Sequence, residues 1–428
     1  MKTSRFLAAG LLALTFACLA SAQTTIRVTG SSAFRKAFYV ALTNSLTSPQ
    51  AAYVGANLAG ANTAVITGTV TTGPSAGQSV IVQCKFAGSV GGVNTVANNL
   101  YVTGAAPSSN IAASGTTTAW LSSTSNTLSA VTVTGAGATL SVSGGTAAGS
   151  PVYNAANTAD IAMSDSFQGS TLFTSPLLTD NVVGVVPFVF VKGRSADSAV
   201  STAAGADNTS GITNITALAA RALMTNGWVP MSMLTGIAAD SQYDVVFTGR
   251  DNDSGTRLVT FAEPGFGIFS PPLQYQLDNN GTNITGLTAF SSSGGYVSGG
   301  NLTAPLNLPV SGSATNSIHS GVKFIPLGYA GTNDAASVNS GNNSLKYNGA
   351  AYSATAVQEG QYTFWGYEHL LYKSTYSGVG KNLASNIVTR FLSGDALASG
   401  LKFDESDVAG TMRVTRSEEG GVAASLIR

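Results

Sequence analysis

One segment limits the choice of architecture more than any other. Val182-Val183-Gly184-Val185-Val186-Pro187-Phe188-Val189-Phe190-Val191 is apolar at position after position. A half-exposed strand alternates apolar and polar residues, and a surface helix keeps one polar face. A continuous β-branched and aromatic run instead fits a strand covered on both sides, as in a parallel sheet core with helices on either face. The rest of the chain agrees. Ile26-Arg27-Val28 reads as a short strand that ends in the turn Gly30-Ser31-Ser32, and residues 34–46 carry Phe34, Phe38, Ala41 and Leu42 at helical spacing. Asp160-Ile161-Ala162-Met163-Ser164-Asp165 and Asp244-Val245-Val246-Phe247 read as strands, and residues 323–329 as a late strand or crossover. Residues 215–224, with Leu218, Ala222 and Leu223 on one face, and residues 383–392 read as helices. Strands alternating with helices predict an α/β protein built on mostly parallel sheets flanked by helices, with ligands at the carboxyl ends of the strands.

Residues 48–150 have a different texture. The segments 63–67, 79–83, 100–102 and 131–134 are β-branched and bounded by Gly, Ser and Asn, which predicts short strands and hairpins. We read this stretch as a β-rich insertion serving as surface elaboration, with low-complexity pieces at 108–114 and 135–149. Loops are expected at 279–281 and 291–300. A chain of 428 residues has room for two lobes, each with its own core. The expected division is 1–22 as a signal peptide, 23–190 as the first part of one lobe, 191–325 as the second lobe, and 326–428 returning to the first.

The expectation of export rests on the N-terminus. Lys2 and Arg5 precede an apolar run over residues 6–19, and Ala20-Ser21-Ala22 offers the small residues a signal peptidase reads, leaving Gln23 as the first mature residue. The run is short for a bilayer-spanning helix, which needs about 20 apolar residues. Lipid attachment at Cys18 is the alternative, but Thr15 stands where a lipoprotein signal usually has Leu. No later segment approaches spanning length, so the mature protein is expected in the periplasm or outside the cell, and not in the membrane.

Composition excludes several classes of function. Twenty basic residues balance twenty acidic ones, so there is no electrostatic footprint for nucleic acid. Charged residues are only 9% of the chain, against roughly 25% in ordinary soluble domains. After cleavage one cysteine remains, Cys84, and the only histidines are His319 and His369. These supply neither a disulfide nor a zinc cluster, and both histidines are read as ordinary structural imidazoles. No metal, cofactor or catalytic nucleophile is expected.

The stretch that carries chemistry is Gly249-Arg250-Asp251-Asn252-Asp253-Ser254-Gly255-Thr256-Arg257, between a buried strand and an apolar stretch starting at Leu258. The first amides of a helix lack internal partners, and the helix dipole places partial positive charge there. Ser254 and Thr256 add hydroxyls, Gly255 lets backbone approach closely, and Arg250 adds a permanently charged fork. Together these make an anion cradle; the bland alternative is that Ser254 is only a helix cap and Arg250 a surface charge. Gly30-Ser31-Ser32-Ala33 is a second cradle of the same kind, and Ser164-Asp165 a third strand end.

In this order, the pieces resemble the phosphate-binding proteins of ABC transporters, members of the periplasmic binding protein-like family. Thr29-Gly30-Ser31-Ser32-Ala33 is similar to the family's first phosphate loop, and residues 159–165 resemble its Asp-Ile-Gly-x-Ser-Asp motif. Residues 185–191 resemble the strand crossing to the second lobe, and Gly249 to Thr256 the Arg-Ser-Asp-Gly-Ser-Gly-Thr loop. Ile325-Pro326-Leu327-Gly328-Tyr329 is similar to the return segment, and Gly360-Gln361-Tyr362 to the Gly-x-Tyr-Pro element. The resemblance implies a two-lobed, type II-like binding-protein fold that captures an oxyanion, phosphate above all, for a membrane permease. It implies no enzymatic step, a monomer, and a hinge near 191–193 and 324–328. Carried over by position, Ser31, Ser32 and Ala33 would bind from the first lobe, and Asp165 would accept a hydrogen bond from a protonated phosphate oxygen. Arg250, Ser254, Gly255 and Thr256 would donate from the second lobe.

The chain departs from the family at three places. Asn252 stands where the family has an Asp that orients the Arg, and Asp253 where it has Gly. The family's Gly-Ser-Gly-Gly loop before the Asp motif is placed at residues 144–150, with Ala147 at the ligand serine; Thr146 and Ser150 are the stand-ins, and Ser164, at the third strand end, is a further candidate. The insertion is much longer than the family's. A different class of function remains open: a cell-surface or matrix protein that keeps the fold, has lost transport and uses the insertion as an interaction surface.

Overall fold

The computed structural model describes residues 23–86, 88–102, 111–112, 120–135, 139–143, 152–154, 158–194, 211–291, 294–401 and 412–425. The expected signal peptide and Cys18 lie outside them. The chain opens with β1 (Thr24–Gly30), α1 (Arg35–Asn44), β2 (Leu46–Val54), β3 (Thr63–Val70), β4 (Ser79–Lys85) and α2 (Ser89–Asn98). It continues through β5 (Ser129–Thr134), β6 (Thr139–Val142), β7 (Ile161–Ser164), β8 (Thr179–Lys192) and α3 (Ala217–Asn226). Then follow β9 (Trp228–Pro230), β10 (Tyr243–Phe247), α4 (Gly255–Ala262), α5 (Gly299–Leu306), β11 (Lys323–Gly331), β12 (Trp365–Tyr372) and α6 (Gly378–Ser393).

The twelve strands form one sheet in the order β9-β10-β11-β8-β12-β7-β1-β4-β3-β2-β5-β6. The α/β class is as expected, but the sheet is mixed rather than mostly parallel. Parallel pairing is confined to β1 with β7 and β4, and β10 with β11. The reason is connection length. Only short turns join β2, β3 and β4, and a short turn reverses the chain, whereas a parallel neighbour needs a crossover of a dozen or more residues.

The apolar run that opened the sequence argument lies in β8, at the middle of the sheet. From Thr179 to Pro187 it pairs with β12, and from Phe188 to Lys192 with β11, antiparallel in both cases. The two segments expected to carry the chain between lobes, 191–193 and 324–328, are thus neighbours in one ladder. Phe188 and Phe190 pack on Phe364, and Phe190 stacks on Tyr347. Every residue of β12 is buried, so the strand bears no solvent-facing side.

The stretch 48–150 is β-rich, but its first half is not an outlying elaboration. β2, β3 and β4 extend the main sheet from β1, and α2 packs Val93, Val96 and Ala97 against Ala162 of β7 and Leu371 of β12. That helix was not expected. Gly91, Gly92, Val93 and Asn94 all have weak helix propensity, and packing on the sheet supplies what the sequence lacks.

Candidate functional site

Four strand ends deliver the chain to one place. After β1, the Ser31 amide donates to Met163 O (2.8 Å), tying the first turn to the end of β7. After β4, the Gly88 amide donates to Gly30 O (2.9 Å), which starts α2 beside β1. Gly88 has φ +141°, and a Cβ there would overlap Asp253 O, so only glycine fits. After β10, the chain passes Gly249 and Arg250 and starts α4 at Gly255, capped by Ser254, whose Oγ accepts from the Arg257 amide (3.1 Å).

Asp165, the residue after β7, holds these ends together. Its Oδ1 accepts from Ser89 Oγ (2.5 Å), its Oδ2 accepts from Thr256 Oγ1 (2.9 Å), and its own amide donates to Ser89 Oγ (3.2 Å). Gly255 lies so close that a Cβ would overlap Asp165 Oδ1 and come within 2.7 Å of Ser89 Cβ. The approach of α4 to α2 therefore depends on the missing side chain. The amides of Ser89, Val90, Gly255 and Thr256 at the two helix starts, and those of Ser32 and Ala33 in the turn after β1, donate to no acceptor among the described residues. Helix-start amides free of a described acceptor, beside a buried carboxylate, are the elements of an anion site.

Arg250 is buried and held by neutral groups. Its amide donates to Tyr329 Oη (2.9 Å), Nε to Tyr296 O (2.9 Å) and Nη2 to Val297 O (3.0 Å). Carbonyls fix the guanidinium without cancelling its charge, so its field reaches both Asp165 and Asp251. Burial raises the pKa of Asp165; hydrogen bonds from Ser89 and Thr256 and the Arg250 charge pull it back. Asp251 is pushed up to about 7 by burial, with Arg250 opposing and the Asp253 charge adding to the rise. Neither Asp251 oxygen reaches full hydrogen-bond geometry with a described residue.

Asp165, Gly255 and Thr256 meet, with Arg250 nearby, and the turn that holds Ser32 and Ala33 is tied to the end of β7 through the Ser31 amide. Ser31 differs from expectation: its hydroxyl donates to Glu368 Oε2 (3.1 Å) and so faces β12. Ser164 is likewise engaged elsewhere, donating to Ser166 O (2.7 Å). Ser254 acts as the helix cap, which was the bland alternative, and retains its own proton to donate. Thr146 and Ser150 lie outside the described residues. The stretch 144–150 where the ligand serine was expected lies outside the described residues, and the serine bonded to Asp165 is Ser89, in Gly88-Ser89-Val90-Gly91-Gly92. The signal was present in the sequence as a Gly-Ser-x-Gly-Gly turn after a β-branched strand. Glu368 and Asp251 were missed because one sits inside an aromatic run and the other reads as a loop acid. One residue from Ser89 and from Gly255, a cleft of about 400 Å³ opens, lined in part by Val90, Phe173, Ser254, Leu258 and Phe269.

His369 and His319 each lie against an aspartate. His369 is fully buried with Nδ1 2.8 Å from Asp180 Oδ1, and His319 Nδ1 is 2.9 Å from Asp244 Oδ2. Among the described residues no group of three His, Cys, Asp or Glu side chains could hold a metal ion. No described helix is long and apolar enough to cross a membrane.

No family model matches the chain, and no curated protein matches it. Several solved structures do. A phosphate ABC transporter substrate-binding protein from Clostridium perfringens, solved with bound phosphate, aligns at TM-score 0.42 and 11% identity, covering 87% of this chain and 98% of that one. PstS from Borrelia burgdorferi aligns at TM-score 0.32 and 12% identity, over 85% of this chain and 97% of that one. An ABC-type phosphate transport receptor from Vibrio cholerae aligns at TM-score 0.31 and 13% identity, over 54% of this chain and 74% of that one.

Proposed function

We propose that the chain is an exported receptor that encloses a small oxyanion, phosphate in the first place, and passes it to an ABC permease. The observation that carries this reading is Asp165: a buried carboxylate bonded to hydroxyls from the first turns of two helices, whose opening amides have no acceptor among the described residues. In this reading the turn at Ser32–Ala33, the start of α2 at Ser89–Val90 and the start of α4 at Gly255–Thr256 supply the donors. Arg250 supplies the positive charge. The residues that hold the anion are divided between a lobe built from both ends of the chain and a lobe formed by about residues 191–325. Binding breaks no bond and needs no cofactor.

Selection follows from proton inventory. Phosphate near neutral pH keeps a proton that it can donate to Asp165, whereas sulfate has none and would meet a carboxylate as an unpaired acceptor. Leaving a buried acceptor unpaired costs about 1–3 kcal/mol, and more when it is charged. One aspartate can therefore separate two anions of nearly equal shape.

The test is calorimetric titration of phosphate, with sulfate as control, into refolded protein beginning at Gln23 and stripped of ligand. One-to-one phosphate binding without a sulfate response is expected. Binding of neither anion sinks the receptor reading.

A further inference from the structure

Glu368 is the one acid in β12, and its surroundings do not suit a charge. It is fully buried. Its Oε2 accepts from Ser31 Oγ (3.1 Å), its Oε1 has no partner among the described residues, and no cation is paired with it there. On one side its register partner in β8 is Gly184, which offers no side chain. On the other, β7 pairs Ser164 with His369, so Asp165 follows at the level of Glu368. Asp165 is the titratable group that faces it. The neighbouring cations are committed elsewhere: Arg250 to the Tyr296 and Val297 carbonyls, and Arg35 to Ser32 O, Gly60 O and Asp334.

A carboxylate buried without a cation, close to a second carboxylate, takes up a proton. We propose that Glu368 is a positioning residue of the anion site, a neutral carboxylic acid that fixes the Ser31 turn and keeps the charge near Asp165 low enough to admit an anion. The inference rests on the receptor reading above and deepens it. With Glu368 neutral, the Arg250 charge offsets that of Asp165, and an incoming oxyanion meets the helix-start dipoles without the charge of a second carboxylate. With Glu368 ionised, the same anion would meet a net negative site, and Ser31 would be drawn toward a charge. Burial and the neighbouring Asp165 both raise the Glu368 pKa, in agreement with this geometry. Anion affinity should therefore fall as pH rises through the Glu368 titration, beyond any change caused by titration of the anion itself.

The experiment compares orthophosphate Kd for the wild-type protein and Glu368→Gln between about pH 5 and pH 9. The amide keeps the shape of the protonated acid and cannot ionise. The two Kd values should agree at the acid end. The wild-type to variant Kd ratio should then climb, by up to about tenfold per pH unit, once Glu368 releases its proton. A ratio that stays constant across the range, with phosphate bound by both proteins, overturns the role of Glu368 and leaves the receptor reading standing. No phosphate binding by either protein at any pH overturns both. Should Glu368→Gln fail to fold, infrared spectra of the wild-type protein serve instead. A protonated-carboxyl band that is present at neutral pH with phosphate bound, and is lost with rising pH over the same range in which phosphate affinity is lost, supports the proposal, and its absence at neutral pH overturns it.

Discussion

Asp165 and Asp251 are both buried aspartates within the field of Arg250, yet the fold treats them in opposite ways. Asp165 receives hydroxyl donors from Ser89 and Thr256, on two helices that start far apart in the sequence. Asp251 lies on the loop beside Arg250, and neither of its oxygens completes a hydrogen bond to a described residue. Desolvation acts on both. Donors offset part of it at Asp165, whose pKa is still raised, whereas at Asp251 the pKa rises to about 7. A buried charge is therefore kept where the chain has placed donors for it, and otherwise the group titrates near neutrality. In the proposed receptor the first aspartate reads a ligand's proton, and the second makes stability depend on pH.

The most severe way to break the contrast is to give Asp165 the surroundings of Asp251. Ser89→Ala combined with Thr256→Val removes both hydroxyl donors. Hydrogen bonds to charged groups contribute about 1.5–3 kcal/mol each, so the pair should cost about 3–6 kcal/mol at neutral pH, less whatever Asp165 regains by taking a proton. Chemical denaturation checks this, and the loss should shrink as pH falls. A smaller effect comes from Asp165→Asn, which keeps the shape and replaces one acceptor by a donor. Phosphate should bind more weakly and sulfate relatively better, narrowing their affinity ratio by about tenfold or more in paired titrations. Unchanged selectivity would remove Asp165 from the site.

How much of this was legible in the sequence depended on whether a segment's local pattern agreed with its tertiary role. The strand endings at Gly30, Ser164 and Phe247 could be read because apolar runs stop abruptly at small polar residues. Gly255 and Thr256 could be placed at a helix start for the same reason. Ser89 could not. Its helix is rich in glycine and β-branched residues and is stabilised by Val93, Val96 and Ala97 packing on Ala162 and Leu371, a contact that no local pattern encodes. The serine was consequently sought some 60 residues later, in the low-complexity stretch. The mixed pairing of the sheet was missed for a related reason. Continuous apolar strands signal burial on both faces, but burial does not fix direction, and β8 and β12 are buried and antiparallel. Glu368 was hidden by its company, an acid inside an aromatic strand where nothing in the sequence marks which side chain meets Ser31.

The gentlest probe acts on the other aspartate. Asp251 has a folded-state pKa of about 7, above its ordinary value of 3.8. The folded protein therefore holds this proton more tightly than the unfolded chain does. The associated stability is complete below about pH 4 and is lost as pH rises toward about 7, with a limiting slope of about 1.4 kcal/mol per pH unit. Asp165, Glu263, Glu368 and Glu419 are also shifted upward, so the wild-type profile sums several such groups. Asp251→Asn removes one of them. Denaturation midpoints between about pH 4 and pH 7 should then fall less steeply than in the wild type, by at most that slope. If the two profiles run parallel, Asp251 does not titrate in this window and its carboxylate has found a partner in solution. The contrast with Asp165 would then reduce to which donors each has, with no difference in charge.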